Sequence, residues 1–477
     1  MIRIDSEALP DDVLLDIFDL YLIMKPSYGK KRAEVWLPLV HVCRRWRNLV
    51  FGSPRRLNLQ LYCTPETPAK DTLDVWPALP LIIEGSIYSS SGTDNIITAL
   101  GQSNHVCKID LYLDDRELEE VLAPMQVPFP ELTDLRLHLS SYHSYGKAPR
   151  APPVIPDSFL GESAPPLRIL QLHSVSFPGL LKLLLSATHL VELRLDSIPH
   201  SGYTSPQAIV APLSVLSSLE TLYLGFESPQ SRPDLENSSL PPPKRSILPA
   251  LARFLFKGVT EYLEELVARI DTPQLGEVLI TFFNQIDFDC PRLAQFINRT
   301  PTLRALDEAH VQFDDTTSIV TLLSWTYGDI AIEISCRDPD WQLSSIEQVC
   351  NTSLPNSSTV EVLYIEHRIP VLIWKDEAIE NTLWLELLLP FTAVTNLFLS
   401  KDFSPGIAEA LRELVGGRIT EVLPSLQNIF VGDLELLSGS FQENIAQFVA
   451  ARQLSNHPIV ISNWEREEDS GPVFDVT

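Results

Sequence analysis

"LTDLRLHL" (residues 132–139) returns in altered form as "LRILQLHSV" (167–175), "LVELRLDSI" (190–198) and "LETLYLGF" (219–226). All four carry L-x-x-L-x-L: Leu132-Leu135-Leu137, Leu167-Leu170-Leu172, Leu190-Leu193-Leu195 and Leu219-Leu222-Leu224. Alternating leucines in so short a run fit a strand with one buried face. A fifth match, Leu180-Leu183-Leu185, falls inside a helical segment and out of register. Leucine supplies 73 of the 477 residues, so chance predicts roughly one or two matches. Five is an excess, and four of them crowd into one window.

Looser versions follow at Leu263-Leu266-Ala268, Leu303-Leu306-Glu308, Val360-Leu363-Ile365, Val394-Leu397-Leu399 and Leu426-Ile429-Val431. Helical candidates occupy the gaps: "LGEVLITFFNQ" (275–285), "RLAQFINRT" (292–300), "GIAEALRELV" (406–415) and "ENIAQFVAARQL" (443–454). An earlier apolar run, "CKIDLYL" (107–113), reads as another strand. Strand then helix, repeated, predicts an α/β fold: an irregular leucine-rich-repeat-like solenoid of parallel strands and helices. The irregularity is plain. Repeats recur every 23 to 57 residues, against the 20–29 usual for that class. The asparagine that ordinarily follows the motif is replaced by Ser140, Val175, Ile198 and Glu227. The competing architecture is an ordinary α/β domain of repeated βα units.

Within this scheme residues 1–60 form a separate helical module and 61–105 a linker or first cap. The array runs over 106–460, and 461–477 make an acidic tail. Two segments rich in Pro and Ser, near 147–166 and 227–249, read as loops.

Charge divides the chain. Residues 1–63 hold 10 Lys+Arg against 7 Asp+Glu, while the remainder holds 26 against 55. A net charge of −26 argues against nucleic acid, whose phosphates would be repelled. Six cysteines (Cys43, Cys63, Cys107, Cys290, Cys336, Cys350) show no paired short spacing, so reduced and mostly buried thiols are expected, not a metal site or disulfide frame. No apolar run approaches the ~20 residues that cross a bilayer. These features predict a cytoplasmic or nuclear chain with no membrane partner.

"ALPDDVLLDIFDLYL" (8–22) is amphipathic, with Val13, Leu14, Ile17, Phe18 and Tyr21 at helical spacing. Pro10 suits the first turn, and Asp11 and Asp12 favour the positive end of the helix dipole. Leu39, Val42, Cys43, Trp46, Leu49 and Val50 predict one further helix, stopped by Gly52 and Pro54. Cys43, lying in that apolar stripe, reads as packing. So few short helices cannot bury a core alone, so they cap the following domain or dock on a partner.

The pair "LPDDVLLDIFDLYL" and "LPLVHVCRRWRNLVFGSPRRL" resembles the F-box motif over residues 8–57. Two departures stand out: the basic stretch "IMKPSYGKKRAEVW" between the halves is longer than usual, and Asp12 stands where Glu is commoner. The resemblance implies docking on the Skp-type adaptor of a Skp–cullin–F-box ubiquitin ligase, and through it on cullin. Matched position by position, the adaptor-facing candidates are Leu9, Pro10, Val13, Leu14, Ile17, Phe18, Leu39, Val42, Cys43 and Trp46.

No catalytic signature accompanies this. G-x-S-x-G, H-E-x-x-H, a Walker-type phosphate loop and a dinucleotide turn are all missing from the sequence. The acidic run in "LYLDDRELEEV" (111–121) lacks calcium-loop spacing and reads as a solvated helix start. The expectation is a non-catalytic, cofactor-free, substrate-recruiting ligase subunit whose repeat region holds a target protein, one presenting a basic patch. The competing expectation is a repeat scaffold outside any ligase.

Overall fold

A computed structural model describes residues 9–24, 35–54, 56–66, 69–75, 79–87, 90–139, 154–233, 245–285, 287–304, 306–324, 328–368, 379–414, 416–437 and 439–465. Two compact units divide the chain, Met1–Gly202 and Tyr203–Thr477.

The first unit opens with helices α1 (Asp11–Met24), α2 (Leu37–Val40) and α3 (Arg44–Gly52). Strand–helix alternation follows: β1 (Leu61–Cys63), α4 (Ala69–Val75), β2 (Leu81–Ser86), α5 (Ser90–Leu100), β3 (Val106–Leu113), α6 (Asp115–Leu122), β4 (Asp134–Leu139), β5 (Ile169–His173), α7 (Leu180–Ser186) and β6 (Glu192–Ile198). Strands β1 to β6 pair in chain order, all parallel. The leucines of the motif form the buried column, Leu135, Leu170 and Leu193 at one register position, with Leu137, Leu172 and Leu195 two residues on. Successive side chains of a strand point to opposite faces. The residues between these leucines are half-exposed and give the sheet an open second face. Left-handed serines, Ser174 at φ 60° and Ser197 at φ 52°, turn the chain away at the ends of β5 and β6. Helix α6 starts with a capping box: Asp114 accepts from the Arg116 and Glu117 amides at 2.7 and 3.2 Å, and Glu117 accepts from the Asp114 amide at 3.2 Å.

The second unit contains β7 (Thr221–Phe226) to β18 (Val460–Trp464), with helices α8 (Pro206–Leu213), α9 (Thr260–Val267), α10 (Pro291–Arg299), α11 (Pro339–Gln348), α12 (Asn381–Leu388), α13 (Ser404–Arg412) and α14 (Gly439–Leu454). The main sheet runs β7, β9 (Arg253–Gly258), β11 (Glu277–Phe282), β14 (Asp329–Ser335), β13 (Thr317–Leu323), β12 (Glu308–Phe313), β15 (Val362–His367), β16 (Asn396–Leu399), β17 (Asn428–Gly432), β18. The remaining strands, β8 (Ser246–Ile247) and β10 (Ile270–Asp271), form a small parallel pair. Helices cover one face of the main sheet: Phe313 meets Trp384 of α12 and Phe403 at ring separations of 6.4 and 5.4 Å.

Both units are therefore α/β arrays of parallel strands and helices, leucine-rich-repeat-like and irregular. Several local expectations fail for identifiable reasons. "LGEVLITFFNQ" is strand β11, not helix; Val278, Leu279, Ile280 and Phe282 are all buried, and in-register pairing with β9 and β14 outweighs helical propensity. Leu263-Leu266-Ala268 lies on and just after α9 instead of on a strand. The parallel pattern also breaks once, because β13 is antiparallel to both β12 and β14. The short link from β12 to β13 forces this: hairpins join antiparallel strands, whereas parallel ones need a crossover. Asp314 holds that hairpin turn through the Thr316 and Thr317 amides at 2.8 and 2.7 Å.

The helix expected over Leu39–Val50 is two. Cys43 is extended, at φ −158° and ψ 170°, and its thiol accepts the Trp46 amide as the cap of α3. Cys43 is exposed, so its reading as packing is corrected. Cys63, Cys290, Cys336 and Cys350 are buried and Cys107 is intermediate. Residues 25–34 of the basic stretch between the halves lie outside the described residues, as do 147–153 and 234–244 of the Pro/Ser-rich segments and 466–477 of the tail. Strand β18 continues to Trp464, within the stretch expected as tail.

Candidate partner-binding surfaces

Helix α1 has two apolar faces. Leu14 and Phe18 are 1% and 0% exposed. Val13, Ile17 and Leu20 are 38%, 43% and 59% exposed. They stand at i, i+4 and i+7, one stripe of the helix surface. The inward face closes on α3, where the Phe18 and Trp46 rings lie 4.6 Å apart at 58°. Arg45 fixes the helix start by donating to Asp11 Oδ1 at 2.6 Å and to the Leu9 carbonyl at 2.5 Å. Asp16 of α1 receives Arg56 in a second ion pair. Arg47 donates to the Val40 carbonyl at 3.0 Å, tying α3 to α2. Trp36 Nε1 donates to the Gln60 carbonyl at 3.2 Å and joins the module to the start of β1.

The ten sequence candidates thus separate. Leu14, Phe18 and Leu39 are interior, and Trp46 and Leu9 are half-buried. Pro10, Val13, Ile17, Val42 and Cys43 are exposed, Val42 to 57%. Leu20 was missed by the motif match, although its place three residues after Ile17 on a polar-flanked helix was a usable signal.

A different surface lies on the open sheet face of the second unit. His310, Tyr364, Phe398 and Phe430 occupy equivalent positions on β12, β15, β16 and β17. Their rings stack in sequence with centroid separations of 4.3, 4.4 and 4.4 Å and interplanar angles of 6°, 16° and 10°. His310 ends the stack between Glu308 at 2.5 Å and Glu366 at 3.3 Å. Burial works against its charged form, but the hydrogen bonds to Glu308 and Glu366 prevail and raise its pKa.

Burial raises the thiol pKa of Cys63 to about 11, and raises those of Cys107, Cys290, Cys336 and Cys350. Such thiols are poor nucleophiles and ligands. Among the described residues no cluster of His, Cys, Asp and Glu is placed to hold a metal, and no helix is long and apolar enough to cross a membrane.

Neither a protein-family model nor a curated protein matches the sequence. Among solved structures, the leucine-rich repeat-containing protein LegL7 from Legionella pneumophila is similar, at 15% identity and a TM-score of 0.28. The match covers 82% of this chain and 97% of that one.

Proposed function

We propose that the chain is a substrate-recruiting subunit of a Skp–cullin–F-box ubiquitin ligase, working in the cytoplasm or nucleus. The N-terminal helices dock on the Skp-type adaptor, and the repeat units hold a target protein. This rests on the F-box-like sequence of residues 8–57, and the observation that carries it is the second apolar face of α1. A helix that merely capped the array would bury its apolar residues, yet Val13, Ile17 and Leu20 face outward. Helical stripes of this kind are a common mode of protein recognition. The chain supplies no chemistry in this reading; it raises the effective concentration of target beside the ubiquitin-charged enzyme.

A second reading, a repeat scaffold outside any ligase, draws on Leu14, Phe18, Leu39 and Val50, which are buried, and on the tie from Trp36 to Gln60. Capture of the purified Skp-type adaptor separates the two. Wild type binds it and Ile17→Asp does not under the ligase reading. A wild-type chain that fails to bind supports the scaffold.

A further inference from the structure

The aromatic stack on β12, β15, β16 and β17 has more around it than sheet packing requires. Tyr364, Phe398 and Phe430 are half-exposed, on the face opposite the buried Leu363, Leu397 and Ile429. Trp464 of β18 reaches back past its neighbour strand to lie 5.8 Å from Tyr364 and 5.5 Å from Phe398. It pairs in register with Gly432. Asn428 donates to Asn396 at 2.9 Å, one strand over, two residues before Phe430 and Phe398. Rings, indole and paired amides make an apolar floor with a polar edge.

The far edge is acidic. These strands are parallel, so the residues after them share one end of the sheet. Asp402 follows β16, Asp433 and Glu435 follow β17, and Glu465 follows β18. Two cations at that end are already engaged: Lys401 lies 3.1 Å from Asp433, and Arg368 lies 3.2 Å from Glu333 and 3.9 Å from Asp314. Glu435 and Glu465 have no ion-pair partner among the described residues. Around them, residues 203–477 hold 17 Lys+Arg against 38 Asp+Glu, a net of −21, whereas residues 1–202 hold 19 against 24, a net of −5. The acidity of the chain belongs to the unit that carries the aromatic floor.

We propose that this face binds an extended, Lys/Arg-bearing peptide segment of a partner protein. The aliphatic stem of a basic side chain lies along the ring edges and Trp464, and its charged head reaches the rim carboxylates. Asn396 and Asn428 remain at the other edge to meet peptide amides. The proposal rests on the chain being a partner-binding repeat protein and does not involve the adaptor-docking helices.

An array of dodecapeptides with zero, two or four Lys/Arg residues, probed with the full chain, tests it. Wild type enriches the four-cation peptides over neutral and acidic ones, and the signal drops at least tenfold between 50 and 300 mM salt. Glu435→Lys with Glu465→Lys, both exposed and therefore safe for folding, lowers the signal about tenfold, as does Phe430→Ser. Glu119→Lys with Glu120→Lys on α6, an equal change of net charge elsewhere, leaves it within twofold. The proposal is overturned by no enrichment, by enrichment of neutral or acidic peptides, or by equal losses from the α6 and rim pairs. Adaptor capture is measured separately, so peptide selection without adaptor binding removes the ligase and leaves this site standing.

Discussion

Leu14 and Ile17 are three residues apart on one helix and differ sharply in burial. Leu14 is 1% exposed and Ile17 43%. A charge at Leu14 must be buried without a partner, so Leu14→Asp costs more than about 3 kcal/mol and unfolds the N-terminal module. Ile17→Asp changes stability by about 0.5 kcal/mol or less and removes only outward apolar surface. Chemical denaturation of the two variants separates them. His310 offers a pH test. Its pKa is raised above 6.5 in the folded state, so its stabilising contribution is complete below 6.5 and is lost as pH rises through the raised value. Titrating the denaturation midpoint upward from pH 6 therefore shows a fall in wild type that is smaller in His310→Gln. A parallel fall in both would assign it to other groups.

The elements show which sequence signals carried information. Leu135, Leu170 and Leu193 were legible as strand residues because their buried face repeats every second residue, and they form one column. Strand β11 was not legible, since "EVLITF" is apolar at nearly every position and its period is ambiguous. The break at Cys43 escaped because a thiol is an uncommon cap, and only its extended backbone reveals the role. Helix α10 shows a different limit. Its cap comes from Glu264 on α9, which accepts the Arg292 and Leu293 amides at 3.0 and 2.8 Å. No local pattern encodes that. Arg452 on α14 is likewise invisible as sequence: wholly buried, it donates to the carbonyls of Ile419, Leu423, Pro424 and Leu426 at 3.1 to 3.4 Å. Each buried group left unpaired costs about 1–3 kcal/mol. Arg452→Met therefore lowers unfolding free energy by roughly 3 kcal/mol or more, and hydrogen exchange should rise first around 416–426.

At the scale of the whole molecule, the alternation of strand and helix was written in the leucine spacing, and the charge break in the composition. The spacing could not foretell the reversal at β13 or the division into two units, because both depend on which strands meet. Of the candidate surfaces, the N-terminal motif was legible and its division into inward and outward residues was not, since an apolar stripe does not say which side is covered. The aromatic face was hidden altogether: His310, Tyr364, Phe398, Phe430 and Trp464 span 155 positions and meet only through strand register. The most direct test of the account is adaptor capture by three purified full-length chains: wild type, Ile17→Asp with Leu20→Asp, and Glu119→Lys with Glu120→Lys. Wild type and the α6 pair should retain the Skp-type adaptor equally, while the α1 pair loses it with an unchanged unfolding midpoint. Retention by the α1 pair, or no retention by wild type, would contradict the account.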